Sequence, residues 1–164
     1  MELKYVPATP DDVDEIFSCL KEVLLFREPY LADHENALMQ LYRRIKDNIT
    51  EYAFVKYNGE RAAFFYFHKD GDMMKLEDIY VFQHLRYRGI ATAILRRCMS
   101  ETELPIKVEI YASDPYAVSL FRHHAFKLSE WLDKRRYIAV NQNDFPYIPE
   151  LFYDGNDTEG PTIY

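Results

Sequence analysis

The sequence predicts an α/β protein of the α+β kind, a single domain in which a mostly antiparallel, mixed sheet is flanked by helices. Three observations carry that expectation. Apolar residues recur at helical spacing in three separate stretches, and turn-bounded runs of β-branched, aromatic and alternating residues lie between them. The 164 residues suffice to bury one substantial core.

Residues 2–7 (ELKYVP) suit a short strand. Thr9-Pro10-Asp11-Asp12 then supplies an N-cap, a proline for the first helical position and acidic side chains for the positive helix end. Val13, Ile16, Phe17, Leu20, Val23 and Leu24 follow at helical spacing. After the Pro29 break, Ala37, Leu38, Leu41, Tyr42, Ile45 and Ile49 predict a second helix over residues 33–47. From Tyr52 the pattern turns β-like: YAFVKY, the turn NGE, RAAFFYFH, the turn KDGD, then MMKLEDIYVF. Asn58-Gly59 suits a tight hairpin turn and Asp70-Gly71 marks a second reversal, so a three-stranded antiparallel meander is expected. Ile90, Ile94, Leu95, Cys98 and Met99 predict a third helix. A strand over residues 106–111, a short helix over 115–124 and two strands near 126–131 and 136–140 complete the pattern.

Twenty-seven acidic against 20 basic side chains give a net charge of −7, which repels polyanions and favours cationic partners. A nucleic-acid patch built on Arg86, Arg88, Arg96 and Arg97 is therefore the least favoured reading, and no nucleic acid is expected as a partner. Residues 1–20 lack the basic-then-apolar pattern of a signal peptide. No apolar stretch approaches the roughly 18 residues needed to cross a bilayer. A cytoplasmic protein without a membrane partner is the expectation. Cys19 and Cys98 fall on apolar positions of separate helices with no metal-ligand spacing beside them, and read as core thiols. His123 and His124 read as an exposed polar helix face, and not as a metal pair, because neighbouring helical residues diverge by about 100°. No metal is assigned. Trp131 reads as core or as a wall of an acceptor pocket. Residues 141–164 have no lysine or arginine and hold Phe145, Tyr147, Leu151, Phe152 and Tyr153. They form an aromatic, acidic extension to a domain of residues 1–140, and packing on that domain or on a partner is expected of them.

The stretch QHLRYRGIATAILRR, residues 83–97, follows a strand and opens a helix through a glycine turn. Such a turn presents unpaired backbone N–H groups at the positive helix end, where a phosphate binds. Gly89 and Ala91 keep bulk away from those amides, while Arg86 and Arg88 add positive charge. No GK[ST] follows and no Rossmann glycine triplet is present, so neither of those phosphate loops applies.

The segment LEDIYVFQHLRYRGIATAIL resembles the acyl-CoA-binding segment of the GNAT acyltransferase superfamily, a strand ending in valine, then Q/R-x-x-G-x-G/A, then a helix. Arg86, Gly89 and Ala91 stand at the matching places, and the element order over residues 2–140 resembles the family fold. The resemblance implies acetyl-CoA as cosubstrate, its pyrophosphate held by the loop Arg86, Tyr87, Arg88, Gly89, Ile90 and Ala91, its pantetheine arm along Ile79, Tyr80 and Val81 where that strand splays from the next. A second segment, SDPYAVSLFRHHAFKL, resembles a later family block. Asp114 stands there for asparagine, Ala117 matches, Phe121 stands for tyrosine and Ala125-Phe126 for glycine-phenylalanine. Family members commonly use that tyrosine as the acid for the leaving thiolate, and phenylalanine has no proton to give. Tyr111 and Tyr116 are the candidate acids in its place.

Transfer of an acetyl group to an amine requires removal of a proton from an ammonium group whose pKa is about 10 in water. Glu77 and Asp78 are the candidate bases, and strand alternation lets only one of them face the substrate. Within the superfamily, LED before two hydrophobics and valine is most similar to the spermidine/spermine N-acetyltransferase branch. The resemblance thus implies an N-acetyltransferase with a primary amine acceptor, on a small molecule such as a polyamine or on a protein. The acceptor pocket would be built from the first two helices and the closing strands, and a homodimer is a further expectation. The alternative, fed by Phe121, is a catalytically impaired module that binds or senses acyl-CoA.

Overall fold

The computed structural model describes residues 2–130 and 135–141. It divides into two compact units, Met1–Tyr66 and Phe67–Tyr164. The expected extension beyond Asn141 and the expected place of Trp131 lie outside the described residues.

In the first unit, β1 (Leu3–Pro7) precedes a 3₁₀ turn at Pro10–Asp12 and helix α1 (Val13–Arg27). The predicted cap is realised with a twist. Thr9 is the N-cap, and the Asp12 carboxylate reaches back to accept from the Thr9 backbone N–H at 2.8 Å and the Thr9 hydroxyl at 3.2 Å. Arg61 pairs with Asp12 and with Glu15, both at 3.0 Å, and lies 3.8 Å over the Phe54 ring. Burial alone would raise the Asp12 pKa, but the Thr9 and Arg61 contacts outweigh it and hold the carboxyl below its usual range. Helix α2 (Glu35–Asp47) follows, near the predicted limits. Strands β2 (Tyr52–Tyr57) and β3 (Glu60–Asp70) form the predicted hairpin, with Asn58 and Gly59 both at positive φ (53° and 81°) as a type I′ turn requires. β1 pairs antiparallel with β2, Tyr5 opposite Val55, and β2 with β3, Phe54 opposite Phe64. Ile16, Phe54, Val55, Ala62 and Phe64 are fully or almost fully buried and form this unit's core.

The second unit begins inside β3. Gly71 turns the chain at φ 63° into β4 (Met73–Val81), and a loop leads to helix α3 (Ile90–Ser100). Ile90, Ala91, Ile94, Leu95 and Cys98 are its buried residues, one stripe at helical spacing. Strand β5 (Ile106–Tyr111), helix α4 (Pro115–His123), β6 (Lys127–Glu130) and β7 (Arg136–Asn141) complete it. β5 pairs antiparallel with β7 along its whole length, and β7 pairs with β6. β4 and β5 run parallel, with Met74 opposite Ile106 and Lys75 opposite Lys107. The mixed, mostly antiparallel α/β class is as the sequence predicts.

One expectation is corrected. His124 does not lie on an exposed face, because it is 2% exposed and its ring nitrogen Nδ1 donates to the Leu120 carbonyl at 2.8 Å. Helix α4 ends at His123, and Ala125 turns the chain with φ 64°, which folds His124 inward. Burial pushes its pKa down, so the ring is a neutral core group at neutral pH. Cys98 is buried and its thiol is pushed up to about 12 by burial, whereas Cys19 is half-buried; neither forms a disulfide. No helix among the described residues is long and apolar enough to cross a membrane.

Candidate active site

The candidate groups of the second unit gather around two helix starts and the end of β4. Helix α3 begins at Gly89, whose φ of 81° and ψ of 11° place it in the left-handed region, with no side-chain cap. Its carbonyl accepts the first helical bond, from Ala93 N–H at 3.0 Å. The amides of Ile90, Ala91 and Thr92 therefore stand at the positive helix end without a side chain over them. A Cβ built on Gly89 meets nothing within 4 Å, so the space beside this residue is open. Tyr87, in the same loop, is 65% exposed and also has positive φ, 67°, a strained conformation for a bulky residue. Ala91 is 3% exposed, so its small size serves the packing of α3.

Arg86 folds back: its Nε donates to the Val81 carbonyl at 2.8 Å and its guanidinium lies 5.3 Å over the Tyr80 ring. That contact ties the loop to the end of β4, while Arg88 is exposed. The parallel ladder between β4 and β5 covers only Met74 and Lys75 on β4, so residues 76–81 run on past it. Ile79, Tyr80 and Val81 are buried at that end. A strand leaving its neighbour beside an open helix start fits a long ligand with an anionic head, and these are the residues the sequence assigns to acyl-CoA. The fit rests on the open Gly89 space and the short ladder.

Helix α4 starts differently. The buried Asp114 carboxylate accepts the Ala117 amide at 3.1 Å, with Pro115 at the first helical position. Tyr116 packs edge-on to Tyr87, ring centroids 6.4 Å apart, and so stands beside the loop. Burial, and then the nearby Tyr87, raise the Tyr116 pKa, which keeps its hydroxyl protonated at neutral pH. Phe121 is 0% exposed and meets Phe126 edge-on at 5.2 Å. Tyr111, at the end of β5, is half-buried opposite Arg136 of β7.

Glu77 and Asp78 are both half-buried, and alternation turns them to opposite faces of β4. Glu77 is held by neighbours that sequence reading missed. Its Oε2 lies 2.9 Å from Lys75 Nζ and its Oε1 3.4 Å from His68 Nε2. Lys75 also reaches Glu109 of β5 at 3.4 Å, and Glu109 faces Arg136 at 3.8 Å. Burial would lower the Lys75 pKa, but the bond and charge of Glu77, and then Glu109, outweigh it and hold the ammonium above its usual range. Alternating charges in K-x-E on both β4 and β5 were the available signal.

The chain belongs to the acetyltransferase (GNAT) family, whose model matches residues 13–126. Membership gives the coarse activity, acetyl transfer that depends on an acyl-CoA. Solved structures share the fold. An N-acetyltransferase from Staphylococcus aureus Mu50 is 14% identical with TM-score 0.68, covering 84% of this chain and 100% of that one. PaiA N-acetyltransferase from Thermoplasma acidophilum, in complex with coenzyme A, is 10% identical with TM-score 0.68, covering 87% and 99%. The ribosomal-protein-S18-alanine N-acetyltransferase from Escherichia coli is 21% identical with TM-score 0.51, covering 60% and 73%. No curated protein matches the sequence.

Proposed function

We propose that this protein is an N-acetyltransferase that moves the acetyl group of acetyl-CoA to a primary amine on a small molecule or a protein, acting in the cytoplasm through a domain of residues 1–140. The observation that carries the proposal is the uncapped, open start of α3 at Gly89 beside the end of β4 that runs beyond its ladder with β5. The amides of Ile90, Ala91 and Thr92 hold the pyrophosphate, and Tyr87 and Arg88 line its approach. Arg86 fixes the loop against Val81, and Ile79, Tyr80 and Val81 carry the pantetheine arm. The coenzyme A held by the Thermoplasma structure supports this assignment by fold.

Glu77 or Asp78 removes the ammonium proton, and the neutral amine attacks the thioester carbonyl. Tyr111 or Tyr116 returns a proton to the leaving thiolate, whose pKa, near the cysteine value of about 8.5, lets it depart near neutral pH even without a strong acid. A second reading, a module that binds acyl-CoA without turnover, is favoured by one observation, the sealed Phe121 where a hydroxyl would be needed.

Two measurements on the full chain separate them. Acetyl-CoA is expected to raise the Tm, and a screen of thiol release against pooled amines, with polyamines, amino acids and N-terminal peptides as separate arms, is expected to find an acceptor. A Tm shift with no thiol release in any arm would favour the binding module. No shift at all would remove both readings.

A further inference from the structure

The ladder around Glu77 reaches His68 of β3, a residue to which neither the motif nor the family resemblance gives a part. Its Nδ1 lies 3.1 Å from the Lys69 carbonyl oxygen, which can only accept, so this nitrogen carries a hydrogen and donates it. A neutral ring then turns the Nε2 lone pair toward Glu77 Oε1, 3.4 Å away. Two acceptors facing each other are unfavourable, and a single proton between them turns the contact into a charge-assisted hydrogen bond. The pair is therefore a place for one proton, and the His68 side chain, 20% exposed, gives that proton a way to water. The surrounding charges leave the place neutral overall. Lys75 of β4 stands on Glu77, Glu109 of β5 stands on Lys75, Arg136 of β7 stands on Glu109, and Asp70 of β3 is matched by Lys107 of β5 at 2.7 Å.

We propose that His68 and Glu77 form a proton relay, Glu77 taking the proton of the acceptor ammonium and His68 passing it to solvent. The inference rests on the acetyltransferase reading and deepens it by choosing Glu77 over Asp78. An ammonium N–H bond breaks, its electron pair stays on nitrogen, and the proton moves to Glu77 Oε1 and on to His68 Nε2. The amine's lone pair forms the C–N bond to the acetyl carbon. The C–S bond breaks with its electron pair on sulfur, Tyr111 or Tyr116 protonates it, and a second proton from the same nitrogen restores that tyrosine.

The test measures kcat/KM for the full chain with an acceptor from the amine screen. His68→Ala is expected to lower it about 100-fold, and added imidazole to restore about tenfold, at the scale of general-base help. Glu77→Gln serves as a second variant. Its amide cannot take the ammonium proton, so a loss of about 100-fold or more that imidazole does not relieve is expected there. Variants that keep the wild-type kcat/KM while acetyl-CoA still raises their Tm overturn the relay and leave the acetyltransferase standing. A His68→Ala protein whose loss imidazole does not relieve also overturns it. A wild type silent toward every amine overturns relay and reading together.

Discussion

Helices α3 and α4 begin in opposite ways. At α4 the chain completes its own helix start: the Asp114 carboxylate, buried, accepts the Ala117 amide at 3.1 Å. At α3 Gly89 brings no side chain to cap the amides of Ile90, Ala91 and Thr92, and the space beside Gly89 is open. Leaving a cap out forgoes about 1 kcal/mol, and a left-handed Tyr87 adds strain to the same loop. Two local costs at one uncapped helix start, in the same unit as a capped one, fit a position that a bound anion completes.

The comparison breaks most sharply at Gly89. Gly89→Glu would set a negative charge into the open space and force a bulky residue to φ 81°. Loss of two amide bonds to a charged group, at about 1.5 kcal/mol each, is expected to weaken acetyl-CoA binding at least about 100-fold. Calorimetric titration checks it. A folded Gly89→Glu protein with wild-type affinity would mean that α3's start is not the anion site.

Next in size is Phe121. Its ring is sealed against Phe126, so Phe121→Tyr introduces a hydroxyl into an apolar place. The expected result is a stability loss of about 1–3 kcal/mol in urea unfolding with no gain in kcat. A gain in kcat would show that the ring swings out to the thioester and that the lost acid is recoverable by one atom.

These two sites also mark how far the sequence could be read. The three- and two-residue punctuations, Asn58-Gly59, Asp70-Gly71 and the Gly89 turn, placed strands and helices closely because each demands a positive φ that the structure contains. Helix ends were less legible. His124 looked exposed because helical spacing was continued past His123, whereas Ala125 at φ 64° turns the chain and buries it. The same φ explains why the family favours glycine at position 125: the demand comes from the backbone, and the Ala125 methyl tolerates it at a cost of about 1 kcal/mol. The Glu77 ladder was legible only as K-x-E alternation on two strands, and its partners were hidden for another reason. His68, Lys75, Glu109 and Arg136 come from four strands, and strand register is set by tertiary pairing that no local pattern reports.

The smallest expected effect sharpens the account of α4. Asp114→Ala removes the acceptor for Ala117 N–H inside a buried place and is expected to cost about 1–2 kcal/mol. Asp114→Asn keeps an oxygen in the same position and restores the residue that the family resemblance expects there. It gives up the favourable charge at the positive helix end, worth about 0.3–1 kcal/mol, and is relieved of burying an ionised carboxylate, so the two changes oppose each other. The net change should lie within about 0.5 kcal/mol, near the spread of neutral caps. Acetyl-CoA affinity should stay at the wild-type value, because this helix start is already filled by its own side chain. Urea unfolding of the two variants, run beside a calorimetric titration with acetyl-CoA, decides the matter. If Asp114→Asn proves as costly as Asp114→Ala, the charge and not the acceptor completes α4, and its contrast with the open start at Gly89 becomes one of electrostatics. If it instead weakens acetyl-CoA binding, Asp114 belongs to the ligand site, and the two helix starts share one task.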